Sequence, residues 1–360
     1  PTPTPTPTPV QFYVHPTRGD DNNPGTSTLE PFRTVRHALG SPTVQAAVNL
    51  GGGTNVIVRI IASGTENVGG NITSRALTAG SVTVLPNRGV SFTLNLNGSL
   101  LTLDEGYRLQ GFRIKSGDPS GPNARAAAIT LNAEGTPLKD MVIDCVDSTG
   151  SITTSGATAV GGGDKCVHVT SSVSGTVTLE NVDISIPSNQ NFVTGILHEG
   201  RGTLKVTNGS SVVAAGSGTA RSVVGIYGNT TSGSVEVVGS TVSLSAITAP
   251  GGTGGNVFSV LLSGPIASGR VEGSSIQVKN STSGTAIGVC VNASGTVTVQ
   301  GNTFTNAPSG SSSIAIYKQA GTVVPTPMPT GNTFNGFSTP PPQTSEKRYV
   351  EYSSGTGLCP

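Results

Sequence analysis

Gly295-Thr-Val-Thr-Val-Gln-Gly-Asn-Thr-Phe304 is the clearest copy of a pattern that runs through most of this 360-residue chain. With Gly301 as anchor, Val299 stands two residues before it and Phe304 three after. The same frame fits Leu109/Gly111/Ile114, Leu138/Asp140/Ile143, Leu179/Asn181/Ile184, Val237/Gly239/Val242 and Val271/Gly273/Ile276. With proline in the first slot it also fits Pro329/Gly331/Phe334, and one copy carries an extra residue: Val206, Asn208-Gly209, Val212. The anchors recur at intervals of roughly 30 residues, a period that marks a solenoid.

Apolar residues alternate on both sides of each anchor, so each side reads as a short strand with one buried face. Every anchor is Gly, Asn or Asp, the residues that tolerate φ > 0 and so suit a one- or two-residue corner. A further strand motif lies upstream of each copy, led by Val167, Ile196, Ile226, Val260, Val289 and Ile316, and it stays in step with the anchors. Three short strands per turn, each stacked on its equivalent one coil later, make a parallel β-helix with aliphatic columns along its axis. The expected columns are Leu179, Val206, Val237, Val271 and Val299, and beside them Ile184, Val212, Val242, Ile276 and Phe304. The fold class is therefore all-β: a single right-handed parallel β-helix of roughly ten coils, with three strands per coil of three to six residues.

Composition agrees. Glycine supplies 50 residues, charged residues are 11%, aromatics 4%, and there is no Trp. A Ser/Thr/Gly/Val-rich chain suits β-structure with many turns and speaks against a helical bundle. The net charge of +1 leaves no electrostatic footprint for nucleic acid. No apolar run approaches the roughly 18 residues of a membrane helix. The first residue is Pro rather than Met, from which a removed leader is expected. The chain divides into a Pro/Thr arm at 1–10, a strand, loop and capping helix at 11–54, the β-helix at 55–338, and a linker and tail at 339–360. Early strands are expected near Val56–Ile61, Val82–Leu85 and Phe92–Leu96, and a last one near Arg348–Tyr352. Gly/Ser/Thr/Pro-rich insertions at Ser116–Arg125, Ser148–Asp164 and Ala246–Asn256 read as loops leaving one corner.

Pro1, Pro3, Pro5, Pro7 and Pro9 alternate with threonine. Such a run forms neither helix nor central strand; it is polyproline II, at about 3.1 Å per residue. It reads either as a linker or as an arm that lies on a neighbouring molecule.

Residues 11–40 carry a more specific pattern: Tyr13-Val14, then the Gly19–Thr26 loop, Pro31-Phe32, Thr34-Val35 and a short helix containing Ala38-Leu39. This resembles the N-terminal module of bacterial right-handed β-helix proteins of the pectate-lyase-like superfamily. The resemblance implies the fold and a secreted setting, not an activity. Val35, Ala38, Leu39, Val44, Ala47 and Val48 suit a capping helix, interrupted near Gly40-Ser-Pro42, that covers the open end of the solenoid.

That superfamily includes polysaccharide lyases and hydrolases, and its lyases typically pair a calcium-holding carboxylate cluster with a base. Carboxylates are scarce here, 19 in all. The best local cluster is Asp164, Lys165, His168, His198, Glu199 and Arg201, from adjoining coils. Asp164, Lys165, His168, Glu199 and Arg201 are the catalytic candidates if the chain is an enzyme; strand-end charges facing water are the plainer reading. Asp20, Asp21 and Asn22 suit either a cation or an Asx-rich turn. No EF-hand or nonapeptide calcium spacing occurs, and no Cys/His spacing resembles a zinc site. No metal or cofactor is expected. His15 and His37 read as structural.

If the upstream column points inward, the next residues point out. These are His168, Leu197, Tyr227, Leu261, Cys290 and Tyr317. An apolar stripe on a chain this rich in Ser and Thr is either covered by its own loops or tail, or a docking strip for another subunit or the Pro-Thr arm. Tyr227 and Tyr317 are the seats for the arm, with Tyr349 and Tyr352 as the alternative. Cys145 ends one coil's strand and Cys166 begins the next, so a bridge between coils is expected. Cys290 and Cys359 would then fasten the tail to the outer face. Four cysteines allow three pairings, and oxidised pairs fit an extracellular compartment.

Three functions fit. The first is an extracellular structural subunit of a filament or appendage, binding copies of itself head to tail through its arm. The second is a polysaccharide lyase or hydrolase. The third is a non-catalytic module for surface polysaccharide. The sparse charge and the lack of an acidic cleft favour the first.

Overall fold

The computed structural model describes residues 9–49, 53–116, 127–145, 164–188, 192–218, 222–248, 256–279, 286–307, 313–318, 331–335 and 349–351. They form a right-handed parallel β-helix with three walls. Wall one holds the strands before each anchor, ending at Thr296–Gln300, and it opens with Val10–Val14, which pairs in parallel with Asn55–Ile60. Wall two holds the strands after it, from Gly64–Asn67 to Thr333–Asn335. Wall three is a 10-stranded parallel sheet from Ile72–Thr73 to Tyr349–Glu351. The early strands run Asn55–Ile60, Ser81–Pro86 and Phe92–Asn95, and the last is Tyr349–Glu351.

Both expected columns stack residue on residue. Leu109, Leu138, Leu179, Val206, Val237, Val271 and Val299 pair in sequence along wall one. Ile114, Ile143, Ile184, Val212, Val242, Ile276, Phe304 and Phe334 do so along wall two. All but Phe334 are buried, and Phe304 and Phe334 stack at 5.4 Å. The anchors have the conformation their residue types suggest: φ is +78° at Gly111, +52° at Asp140 and Asn181, and +58° to +66° from Gly239 to Gly331. In the copy with the extra residue both Asn208 and Gly209 are left-handed.

The residue after the anchor turns inward and changes character along the rod. It is Phe112, Met141 and Val182 in early coils, then Ser210, Ser240 and Ser274, then Asn302 and Asn332. A tight corner turns its amides away from the strand ladder, and these side chains replace the lost partners. Val182 N donates to Ser210 Oγ (3.1 Å), Ser274 N to Asn302 Oδ1 (2.9 Å) and Asn302 N to Asn332 Oδ1 (2.9 Å). The core thus contains a polar rail, in which each side chain serves the coil before it.

Wall three departs from simple alternation. Gly195, Gly225 and Gly288 precede inward Ile196, Ile226 and Val289, yet face inward as well. A Cβ at Gly225 would sit 2.6 Å from Val242 Cγ1 and from the carbonyl oxygen of Ser259. Small residues here let wall two's side chains fill the axis. Cys166 holds the corresponding place before Val167 and is fully buried, bonded to Cys145. The two cysteines are 21 residues apart in sequence, and loops of this length give about 3 kcal/mol in the chain-entropy model. The three expected insertions lie largely outside the described residues. Each follows a wall-two strand and precedes a wall-three strand, so all leave one corner.

Two helices, α1 (Val35–Gly40) and α2 (Pro42–Asn49), cover the N-terminal end, with Val35, Ala38, Leu39, Val44, Ala47 and Val48 all buried. Thr34 caps α1 by accepting from His37 N. The loop before α1 packs tightly. A Cβ at Gly19 would collide with the Phe32 carbonyl, and Gly25, at φ +71°, lies against the Phe32 ring. His15 contacts Thr17 and Arg18, and His37 packs on Phe32 at 4.9 Å, which gives both histidines structural work.

Candidate functional site

Wall three brings only part of the acid–base candidate set together. His168 lies on the strand Asp164–Val169, and Glu199 follows the strand one coil later. His168 Nε2 and Glu199 Oε2 are 2.7 Å apart, with both side chains partly exposed. Lys165 lies three residues before His168 and is half-buried. The side chain of Asp164 lies outside the described residues. Arg201 is exposed on the corner that follows, where its backbone N–H donates to Val173 O.

His198 turns the other way. It is fully buried, its Nε2 donates to Gly202 O at 3.2 Å, and its Nδ1 has no hydrogen-bond partner. Burial, helped by the neighbouring His168, pushes the imidazole down to about 4, so it is neutral at neutral pH. A ring in the axis cannot reach a solvent-side substrate. The constellation therefore reduces to a carboxylate–imidazole pair at the start of the outer stripe. Tyr227, hydrogen-bonded to Ser263, lies near enough to Glu199 to feel its charge, and burial raises its phenol.

The stripe itself is closed. Leu197, Tyr227, Leu261, Cys290 and Tyr317 stack in register from coil to coil and point away from the axis. They are nevertheless 0–5% exposed, in an apolar cluster separate from the axial core. In a single chain they present no surface to a second copy unless their cover is displaced. Pro1, Pro3, Pro5 and Pro7 lie outside the described residues, as does Cys359; Pro9 is exposed. The side chains of Tyr349 and Tyr352 also lie outside the described residues.

At the N-terminal module the carboxylates serve the loop. Asp21 Oδ1 accepts from the backbone N–H groups of Arg33 and Thr34, both at 2.9 Å, and Asp21 Oδ2 accepts from the Thr34 hydroxyl. Asp20 Oδ1 accepts twice from Asn22. This is the Asx-turn arrangement. Among the described residues no group of three His, Cys, Asp or Glu side chains is placed to hold a metal ion. No described helix is long and apolar enough to cross a membrane.

A cleft of about 500 Å³ escaped the sequence reading. It lies outside wall two, lined by Thr65, Ser91, Thr93, Arg113, Asp140 and Val142 among others. Thr65, Thr93, Arg113 and Val142 form one outward row across four coils. The sequence signal is the pair of threonines in that row, too weak to separate from ordinary solvent-facing positions. Arg113 pairs with Asp144 at 2.6 Å, and Asp140 accepts from the neutral amides of Gln110 and Asn181.

Glu66 is also buried. Its carboxylate accepts from Val35 N at 2.6 Å and Arg36 N at 3.1 Å, tying the first coil to α1. Burial outweighs those two bonds and pushes its carboxyl up to about 7. The fold therefore favours protonated Glu66, so its contribution is complete below pH 4.5 and lost as pH rises to about 7. His198 acts oppositely: its contribution is complete above pH 6.5 and lost as pH falls to about 4. Each shift corresponds to about 3 kcal/mol, so the two offset each other between about pH 4.5 and 6.5. Urea unfolding across that window is expected to show Glu66→Gln gaining stability with rising pH and His198→Gln losing it. Slopes unchanged from wild type in both variants would contradict the assignment.

No protein-family model matches the chain, and no curated protein matches it. Among solved structures it is similar to the crystal structure of pectate lyase Pel9A, at 14% identity and a TM-score of 0.38, over 93% of this chain and 81% of that one.

Proposed function

We propose that this chain is an extracellular structural protein: the β-helix is a rigid rod in a self-assembling filament or appendage, and residues 1–10 connect it to the next copy. The supporting observation is how the outer polar side chains are used. They bond along the axis to their equivalents one coil away, instead of converging on a site. Asn95 pairs with Asn67 (2.8 Å), Asn132 with Asp104 (3.0 Å), Lys139 with Glu180 (3.0 Å), Ser243 with Gln277 (2.9 Å) and Ser268 with Ser234 (2.9 Å). One exposed pair is worth little, but a succession of them ties neighbouring coils together. The helical lid closes the N-terminal end, so a neighbour cannot simply add a coil there. The arm precedes the strand Val10–Val14, and its alternating prolines remove the amide donors that strand pairing needs. It therefore docks through ring faces and carbonyls. A directional arm propagates head to tail into a fibre unless the rotation closes a ring. A secreted setting agrees with the buried Cys145–Cys166 disulfide.

The test is deletion of residues 1–10. The full chain is expected to form filaments by electron microscopy and light scattering, and the deleted chain to remain single rods. Assembly at wild-type levels after deletion, or a full chain that stays monomeric at high concentration, rejects the proposal. The His168–Glu199 contact favours a second reading, a polysaccharide lyase or hydrolase. On that reading anionic polysaccharides with calcium are turned over, and His168→Asn abolishes turnover. The polar cleft beside Arg113 favours the third, in which polysaccharide binds without turnover.

A further inference from the structure

We propose that the outer face of wall two, from the strand Ser211–Gly218 to the strand Thr333–Asn335, is an ice-binding surface whose ligand is crystalline water. Two outward rows make the face. Ser211, Thr241, Ser275, Thr303 and Thr333 pair in register from coil to coil. Two residues further along each strand, Val213, Ser243, Gln277, Thr305 and Asn335 do the same. Between the rows Val212, Val242, Ile276 and Phe304 are buried in the axial core, so both rows point away from it. Thr241, Ser275, Thr303 and Thr333 are exposed.

Charge, spacing and rigidity select this ligand. Neither row carries a charged side chain over these five coils, whereas Lys205, Glu236, Arg270 and Glu272 stand on the outer face of wall one in the same stretch. A hydroxyl both donates and accepts, as a water molecule does, while an ammonium or guanidinium only donates and a carboxylate only accepts. A charged side chain therefore turns its whole water layer one way, which a tetrahedral lattice does not accept. A neutral hydroxyl face takes lattice positions itself. Parallel pairing sets the hydroxyls about 4.8 Å apart along the axis and the two rows about 7 Å apart, close to the repeats of oxygen atoms on the flat faces of an ice crystal. Threonine is stiff at χ1, so its hydroxyl and methyl hold few positions. Each strand is also fixed from within by its stacked core residue, and at its start by the buried rail side chains Ser210, Ser240, Ser274 and Asn302. The size of the face argues against a protein partner. Five strands and two rows cover about 20 Å by 10 Å, on the order of 200 Å², against roughly 800 Å² that each partner gives to a stable interface. Deleting residues 1–10 leaves this face in place, so the filament reading and this one fail separately.

The experiment measures inhibition of ice recrystallisation by the purified full chain and its partition into slowly growing ice. The double variant Thr241→Lys/Thr303→Lys and the single variant Thr296→Lys are measured beside it. The wild type is expected to keep ice grains small and to enter the ice. The double variant places ammonium groups on the face and is expected to lose both effects, with an unchanged urea melt because both positions are exposed. Thr296, exposed on the outer face of wall one, is the control, and Thr296→Lys is expected to keep both effects. A wild type that lets grains coarsen as in buffer and is excluded from the ice overturns the proposal. A double variant as active as the wild type, or a Thr296→Lys chain as inactive as the double variant, overturns it too, since neither outcome depends on this face. A wild type inactive on ice whose retention on insoluble polysaccharide, or whose dimer by light scattering, is lost in the double variant assigns the face to that partner instead.

Discussion

Val237→Asp is expected to cost roughly 4 kcal/mol or more, enough to unfold a domain of ordinary stability. Val237 is fully buried between Val206 and Val271, its equivalents one coil before and after. A carboxylate there stacks between two valines, so it must either ionise in the core or take up a proton, and both oppose folding. Its neighbour Glu236 provides the control. That side chain points outward and pairs with Lys205 at 3.3 Å, so Glu236→Ala should change stability by less than about 1 kcal/mol. Urea unfolding of the two variants checks the register directly. A Val237→Asp protein that melts like wild type would place the column outside the core.

The second large effect separates two kinds of glycine. Gly202 sits on the corner between walls three and one, and a Cβ there would run into the carbonyl of Gly175 in the preceding coil. Gly233 and Gly295 meet backbone carbonyls of the coil below in the same way. Backbone cannot step aside as a side chain does, so Gly202→Ala should cost several kcal/mol, about 3 or more. Gly301 is restricted differently. It has φ +63°, but nothing lies nearer to its would-be Cβ than Gly273 N at 3.8 Å. Gly301→Ala therefore meets only the left-handed penalty, about 1–2 kcal/mol. Gly301→Asn should cost less, because Asn181 and Asp140 already hold that conformation at equivalent corners. Thermal and urea melts of the three variants should rank them in that order. If Gly301→Ala proves the most damaging, the close approach at Gly202 does not govern stability.

Much of this architecture is legible in the sequence, because stacking repeats the same constraint on every coil. Leu179, Val206 and Val237 meet the same interior and so share one residue class. Asp140, Asn181 and Gly239 share one backbone conformation and so come from the few residues that accept it. The stacked pairs and the positive φ values at those positions follow from such local rules. The outward direction of Cys290 and Tyr317 follows from alternation alone. Local rules end where two coils or two walls meet. Nothing in the pattern around Gly202 distinguishes it from a turn glycine, since its restriction comes from a carbonyl one coil away. Gly225 likewise turns inward because Val242 on another wall needs the space.

The candidate site shows the same division. Sequence brought His168, His198 and Glu199 near one another by counting coils. Only the fold decides that His168 meets Glu199 while His198 enters the axis, since adjacent residues on a strand face opposite sides. The outer stripe was visible as a row of Leu, Tyr and Cys, but sequence could not say whether it was open. Coverage depends on what lies above a surface, and no periodicity within the strands encodes that. The repeat thus determined by itself the β-helix, its register and its corners, because each depends on a residue and its equivalent one coil away. Tertiary structure alone decided which glycines are indispensable, which imidazole is buried and that the apolar stripe is closed, because those depend on atoms the repeat does not relate.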